Sequence, residues 1–431
     1  MDALFVFLAV FLGASILLKV PVPFGMGWGT LAVFFYKGLP TLNIAQASFS
    51  SLDSFPLLAI PFFLFAGTLM EFSGISKSLL DMIDAFIGKV RGSIGVVTIA
   101  GAIAFGVLTG SAMATISAIG KIMVPEMVKK GYSRDYSAAL IASTCFLGIL
   151  IPPSIPGIMY GLASGQKISA VWLSTIIPGL LFGAGYCLVN YFAQGRKQPK
   201  QNKEPFKAYI KNCAVKTRDA TAALVMPVII FGGIYGGICT PTEAGAISAA
   251  YGVAYYVVKK FRKPKDTGSN LWHITVNSAC ITGVVSILCI FSAVSGRAIT
   301  LSGVSTQLSG FVVANISSPY EFLLIVNVLF LIMGTFIDIN SSILLMTPLL
   351  LPSVQAMGID PIHFGAISLV NLSVGYMTPP FATGIFLACK IADCEFTGVV
   401  RRILPFIVVG LIVVAITTFV PAVSMFIPGL L

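Results

Sequence analysis

The sequence is short of charge. Only 10% of its 431 residues are Asp, Glu, Lys or Arg, against about 25% in an average soluble domain. A chain that is also 57% hydrophobic cannot hide its apolar surface in water. Histidine is scarce too: His273 and His363 are the only two, each near a segment end. There is no zinc-protease motif and no workable Ser/His/Asp set, so catalytic chemistry is starved of residues and no enzyme is expected. The eight cysteines, Cys145, Cys187, Cys213, Cys239, Cys280, Cys289, Cys389 and Cys394, lack metal-ligand spacing. Most sit in apolar segments and read as small buried hydrophobes. No separate soluble domain is visible. No small-residue cleavage site follows the first apolar stretch, 3–18, which is therefore expected to persist as a helix and not to be removed as a signal peptide.

Apolar stretches of roughly 17 to 25 residues, long enough for a bilayer, recur from end to end, at 170–192, 221–238, 274–295 and 403–427 for example. This is the pattern of a polytopic helical bundle in a lipid bilayer. The net charge of +11 would suggest nucleic acid in a soluble protein, but in a membrane chain the placement of Lys and Arg matters more, and no nucleic-acid partner is expected. One basic run spans 196–218; a second contains Lys259, Lys260, Arg262, Lys263 and Lys265. The apolar residues between them suffice for two crossings with a turn near 240–243. Both clusters then face one side, the cytoplasm by the positive-inside rule.

Sliding the chain along itself superposes Pro125 on Pro352, Gly131 on Gly358, Gly148 on Gly375, Pro152 on Pro379, Pro153 on Pro380 and Gly157 on Gly384. A slightly larger shift pairs Gly67 with Gly296, Ser73 with Ser302 and Gly74 with Gly303. The repeat unit is a helix, a short amphipathic segment, a hairpin and a broken helix. Lys89, Arg91, Lys129, Lys130 and Arg134 flank the first hairpin, whereas 318–321 and 357–360 around the second have no Lys or Arg. The two copies are therefore expected to enter from opposite faces, with both termini outside. Lys37 and Lys167 fall in outer loops, Lys121 and Arg297 in membrane segments. The expected fold is an all-α polytopic membrane protein with inverted repeats, two re-entrant hairpins and two broken helices, an architecture of transporters. Its parts are scaffold helices over 1–54; a first repeat over 55–168 with hairpin 93–129 and broken helix 135–163; scaffold helices and basic cytoplasmic loops over 169–273; a second repeat over 274–402 with hairpin 320–356 and broken helix 362–390; and a C-terminal helix over 403–431.

Residues 93–129 are too many for one crossing, and 106–111 form a glycine-rich polar break between apolar arms; the second hairpin is expected to turn within 334–342. Non-helical backbone is tolerated at membrane depth only when buried in protein or facing a wet cavity, so both tips should meet other polar groups. The partners are the consecutive prolines of 148–154 and 375–381, which interrupt apolar spans and free carbonyl oxygens. Kinks for packing alone would also use proline, but two matched pairs, each after a polar hairpin, favour cages for a small hard cation. Thr109, Gly110, Ser111 and Thr115 with Gly148, Pro152 and Ser154 form one candidate site; Gly334, Asp338, Ser342, Thr378 and Pro379 form the other. Oxygen ligands with few carboxylates suit Na⁺ better than Ca²⁺. Asp338 is the acidic group nearest this chemistry, as an ion ligand or a brace of the hairpin. Ser111, Ser341, Thr378 and Arg297 are the substrate candidates. The Arg297 fork suits a carboxylate, but its place near the outer interface favours a snorkelling anchor. Glu243, at an outer turn, reads as structural.

The motifs Thr-Gly-Ser (109–111), Ile-Met-Val-Pro-Glu-Met (122–127), Gly-Tyr (131–132), Ile-Pro-Pro-Ser (151–154), Pro-Thr-Glu-Ala (241–244), Gly-Ile-Asp-Pro-Ile-His-Phe-Gly (358–365) and Thr-Pro-Pro (378–380) span most of the chain. In this order they resemble the large membrane subunit of TRAP transporters, the tripartite ATP-independent periplasmic carriers of organic acids. The resemblance implies an elevator-type carrier, with a scaffold and a transport domain, in the bacterial inner membrane. It implies two partners, a small membrane subunit of four helices and a periplasmic substrate-binding protein. It further implies coupling to Na⁺ and an organic acid substrate of the sialic acid or dicarboxylate class. The family's ion sites lie between hairpin tips and broken helices, as derived above. Phe381 departs from the first copy's Ser154 and removes a hydroxyl there. Two rivals remain: a stand-alone sodium/dicarboxylate symporter of the wider superfamily, which needs no binding protein, and an intramembrane enzyme, for which convergent mid-membrane residues are missing. A channel fits paired binding hairpins less well than an occluding carrier.

Overall fold

A computed structural model describes residues 2–88, 92–197, 205–262, 270–379 and 382–430. Part of the basic run 196–218, together with Lys89, Arg91, Lys263, Lys265, Pro380 and Phe381, lies outside the described residues. Every element among the described residues is helical. Among the described residues seven helices are long and apolar enough to cross a membrane, or eight if Arg134–Leu150 and Ile155–Ser164, bent by 45° at their junction, count as one span. The first apolar stretch is an α-helix, Asp2–Leu12, continued by a π-helical turn, Gly13–Leu17, and packed along Val22–Lys37.

The element order occurs twice. Ala59–Phe72, Ile75–Ile87, the arms Ser93–Thr109 and Ala112–Lys129, and the bent helix with halves ending at Leu150 and Ser164 make one copy. Leu271–Leu301, Val304–Asn315, the arms Pro319–Phe336 and Ile339–Ala356, then Pro361–Tyr376 and Thr383–Ala392 make the other. Matched glycines have a backbone reason. Gly74 and Gly303 cap the short helix of each copy at φ 65° and 71°, and Gly131 and Gly358 turn the chain out of each hairpin at φ 87° and 70°. These are left-handed conformations that favour glycine. Gly106 and Gly334, read above as part of the tips, lie inside the first arms instead; the connections are Gly110–Ser111 and Ile337–Asp338.

The copies are interlocked. Each hairpin's first arm packs on its own copy's broken helix, whereas Ile155–Ser164 lies on Ile339–Ala356, and Thr383–Ala392 lies on Ala112–Lys129 and Arg134–Thr144. Two further helices, Ile176–Ala193 and Phe396–Phe419, close this body through edge-packed rings: Phe146–Phe182 centroids are 5.1 Å apart and Tyr186–Phe406 5.2 Å. Such pairs add to plain area burial. Asn190, fully buried, accepts from the Tyr132 and Tyr136 hydroxyls at 3.3 Å and donates to the Gly92 carbonyl at 3.0 Å. The remaining long helices form a frame: Ala59–Phe72 packs on Pro241–Arg262 and Leu271–Leu301, Val22–Lys37 joins through Leu271–Leu301 and Asp2–Leu12, and Phe206–Tyr235 lies on Pro241–Arg262 and Ile75–Ile87. Their outward faces expose Phe35, Val228, Trp272 and Val284, apolar surface that suits lipid or a partner and not water.

Candidate functional site

The site begins where Ser93–Thr109 crosses the interrupted helix. A methyl group on Gly106 would stand 1.8 Å from Gly148 Cα, and one on Gly148 would stand 3.0 Å from the Thr115 hydroxyl. Only glycine fits two backbones so close. The arm ends at Gly110, φ 59°, whose Cβ position is 2.8 Å from the Pro153 carbonyl oxygen, so the hairpin tip rests on the proline break. Ser111 starts the return arm, its hydroxyl accepting from the Ala114 amide at 3.5 Å; Thr115 donates to the Ser111 carbonyl at 2.9 Å. Residues Thr109, Gly110, Ser111, Thr115, Gly148 and Ser154 are thus drawn into one neighbourhood, all but Ser111 buried. In the break itself the Pro152–Pro153 bond is cis, and Ser154 caps Ile155–Ser164 by accepting from the Gly157 amide at 3.2 Å.

Two carbonyls flanking the break are claimed by side chains, and that of Ser154 also accepts the Ile158 amide at 3.1 Å. The Thr175 hydroxyl donates to Leu150, and Trp172 Nε1 donates to Ser154 at 3.0 Å. Sequence reasoning missed both braces, although a Trp within an apolar stretch needs an acceptor for its N–H.

The second tip is built on an acid. Asp338 caps Ile339–Ala356, its Oδ2 accepting from the amides of Asn340 at 3.0 Å and Ser341 at 3.2 Å, while its Oδ1 is bonded to the Ser341 hydroxyl. Gly334 meets Gly375 as Gly106 meets Gly148, more loosely: a Cβ on Gly334 would be 3.0 Å from Gly375 Cα. The Thr378 hydroxyl donates to the Val374 carbonyl at 2.7 Å. A 60 Å³ cavity brings Gly334 and Asp338 together with Tyr376 and Thr383; Thr378, Pro379 and Ser342 do not line it. The Ser342 hydroxyl is buried without a hydrogen-bond partner among the described residues.

Both tips open on one cavity of 220 Å³, lined by Gly110, Ser111, Met113, Asp338, Asn340 and Tyr376 over an apolar wall that includes Ile155, Ile281 and Val285. Among the described residues no Lys, Arg or His lines it. Three helices start there, at Ala112, Ile155 and Ile339, and helix N-termini carry partial positive charge. Among the substrate candidates Ser111 lines this cavity and Ser341 stands behind Asp338, whereas Arg297 is elsewhere. Arg297 is exposed in a separate cleft of 470 Å³ with Asn43, Gln46, Ser50 and Thr300. Tyr376 and Asn340 were not singled out from sequence; their signal was adjacency to the Pro-Pro and Asp338 motifs. Among the described residues no group of three or more His, Cys, Asp or Glu could hold a metal, so a cation here would depend on carbonyls, hydroxyls and Asp338.

The family model described as "Tripartite ATP-independent periplasmic transporter, DctM component" matches residues 5–423. The isethionate TRAP transporter permease protein DctMQ of Oleidesulfovibrio alaskensis is 36% identical over 100% of the chain, which spans 66% of that relative's length. The C4-dicarboxylate TRAP transporter large permease protein DctM of Pseudomonas aeruginosa is 31% identical, covering 93% of the chain and 92% of the relative. For the sialic acid TRAP transporter large permease protein SiaM of Vibrio cholerae the values are 32%, 95% and 95%. These relatives are named as permeases, not enzymes. Among solved structures, the YdaH transporter of Alcanivorax borkumensis superposes with a TM-score of 0.57 at 12% identity, covering 84% of this chain and 86% of that one. MtrF of Neisseria gonorrhoeae gives 0.57 and 12%, covering 88% and 84%. At such identity the likeness shows the fold alone.

Proposed function

The chain belongs to the DctM component family of tripartite ATP-independent periplasmic transporters, and from that premise we propose that it is the conducting subunit of a Na⁺-coupled uptake system for a small organic anion. The 220 Å³ cavity between the two hairpin tips carries this reading. It offers hydroxyls, an amide and three helix N-termini in place of a fixed cation, which suits an anion that must bind and leave again once Na⁺ offsets its one carboxylate, Asp338. The substrate class is an organic acid, of the sialic acid or dicarboxylate kind or a sulfonate such as isethionate; the names of the relatives support that range. The partners are a small four-helix membrane subunit and a periplasmic binding protein that hands over the anion, with both termini on the periplasmic side of the inner membrane. Family membership favours this over a stand-alone symporter.

In this reading Na⁺ enters as co-substrate. Around Gly110 the ligands are the hydroxyls of Thr109, Ser111 and Thr115 with the Pro153 carbonyl; around Asp338 they are its carboxylate and the backbone near Gly334 and Thr378. The buried Ser342 hydroxyl, without a partner among the described residues, supports an unmet ligand in the second copy, since such groups are normally satisfied. The test is uptake into proteoliposomes holding the chain with its partner subunits and candidate acids with their binding proteins. Uptake should require inward Na⁺; equal uptake with choline in place of Na⁺, at a fixed proton gradient, would overturn the coupling.

A further inference from the structure

A cavity of 480 Å³ lies away from both hairpin tips, where the amphipathic helix Ile75–Ile87 meets Phe206–Tyr235 and Pro241–Arg262. Its lining carries four cations, Lys77, Lys216, Lys259 and Arg262, against two carboxylates, Asp81 and Asp219. Two of the cations are engaged. Lys216 Nζ pairs with Asp81 Oδ2 at 2.9 Å, and Lys259 donates to the Ser73 carbonyl. Lys77 and Arg262 are exposed at the cavity, on different helices, and neither has an ion-pair partner among the described residues. Next to them the frame helices turn Val215, Val258 and Phe261 outward. A basic recess bordered by exposed apolar side chains matches a phospholipid, with its phosphate among the cations and its chains along the apolar surface.

We propose that this recess binds the head group of an anionic phospholipid, held chiefly by Lys77 and Arg262. The surplus of cations suits a phosphate, and Arg can grip it bidentately. The apolar border favours a lipid over a free anion, which would gain nothing from Val258 and Phe261. Ile75–Ile87 connects the frame helix Ala59–Phe72 to the first hairpin, so an occupied recess ties the lead-in of that hairpin to two frame helices. The proposal rests on the reading of this face as the membrane–cytoplasm boundary, and not on which anion is carried.

The test uses the purified membrane complex containing the chain, stripped of lipid in detergent and titrated with phosphatidylglycerol, with bound lipid read by native mass spectrometry. The double variant Lys77→Gln, Arg262→Gln leaves the Lys216–Asp81 pair and the Lys259 contact in place, and should weaken the tightest binding event about 30-fold. Lys77→Arg, Arg262→Lys should retain it. A control, Arg401→Gln, Arg402→Gln, removes exposed charge from Phe396–Phe419 and should leave binding unchanged. Wild-type affinity in the Gln pair, or an equal loss in the control, would overturn the site. Equal competition by glycerol phosphate would show a soluble-phosphate site and overturn the lipid assignment. Binding is read directly, so a failure of Na⁺-driven uptake would leave this result unaffected.

Discussion

Gly106→Ala isolates the contact on which the first candidate cation site depends. The added methyl would lie 1.8 Å from Gly148 Cα and 2.9 Å from both the carbonyl carbon and the amide nitrogen of Gly148. All three are backbone atoms and cannot rotate away. Carbon atoms rest about 3.5–4.0 Å apart, so the arm and the break must part by about 2 Å. A functional constellation tolerates about 0.5 Å; a shift of this size carries Gly110 off the Pro153 carbonyl and opens the cage. Overpacking of this kind costs about 1–3 kcal/mol, occasionally more. Uptake should fall at least tenfold, and the thermal midpoint of the purified complex should drop. The second copy calibrates the effect, because the equivalent Cβ positions lie 2.6 Å from backbone at Gly375 and 3.0 Å at Gly334. Damage should therefore rank Gly106→Ala, then Gly375→Ala, then Gly334→Ala. Gly232→Ala, in Phe206–Tyr235 with nothing within 4 Å, should be neutral or stabilising by up to about 1 kcal/mol. Wild-type uptake and midpoint for Gly106→Ala, or greater harm from Gly334→Ala, would refute the reasoning.

Asp338→Asn keeps a capping acceptor but removes the charge, so the thermal midpoint should hold while uptake falls strongly. Asp338→Ala should lose about 1 kcal/mol of cap as well; undiminished uptake by the Asn variant, measured beside assembly with the small subunit, would remove Asp338 from ion coupling. Asn371, fully buried, donates to the Asn327 carbonyl at 3.0 Å and to its Oδ1 at 2.6 Å, and Asn327 reaches Thr418 at 3.0 Å. Asn371→Leu should cost about 1–3 kcal/mol by stranding buried acceptors, seen as a lower denaturation midpoint; an unchanged midpoint would mean that water replaces the bond.

Much of the fold was legible because proline and glycine write backbone geometry directly. Gly74, Gly131, Gly303 and Gly358 revealed the repeat, and each has a left-handed backbone. The tips were read too broadly, since Gly106 and Gly334 were counted as part of the turns. They are helical residues whose missing side chain serves a contact with a partner far away in sequence. Nothing in a local pattern separates those two uses of glycine. The braces from Thr175 and Trp172 were illegible for a related reason: a hydroxyl or an indole declares that it needs a partner but not which one. Arg297 was a substrate candidate for its planar fork, with its place near the outer interface favouring an anchor, and the fold puts it exposed in another cleft.

The distribution of tight and loose packing bears on how the proposed carrier would move. Inside the hairpin body the contacts are unforgiving: glycine backbones touch at Gly106–Gly148 and Gly334–Gly375, and the Tyr160 ring lies 2.4 Å from where a Cβ on Gly365 would be. Tyr160 also donates to the Pro361 carbonyl, and Arg134 pairs with Asp393 at 3.0 Å, each joining one copy to the other. A hairpin moving alone would break its glycine contact and strip its return arm from the other copy's half-helix. The boundary with the frame is mixed: Ala59–Phe72 meets the first hairpin closely, a Cβ on Gly67 standing 2.7 Å from Thr109 Cα, whereas the boundary along Leu271–Leu301 is looser. A cleft of 350 Å³ lies there, lined by Ser50, Ser54 and Ser292 on one side and Leu344 and Pro348 on the other. A hydroxyl bond crosses it from Ser292 to the Leu344 carbonyl at 2.8 Å, which Pro348 leaves without its helical donor; it is a single neutral bond, worth about 1 kcal/mol net. Packed bodies shift where contacts can be exchanged rather than where they must be destroyed. Both hairpins and both broken helices should therefore travel as one piece past Leu271–Leu301, with the cavity between the tips carried along.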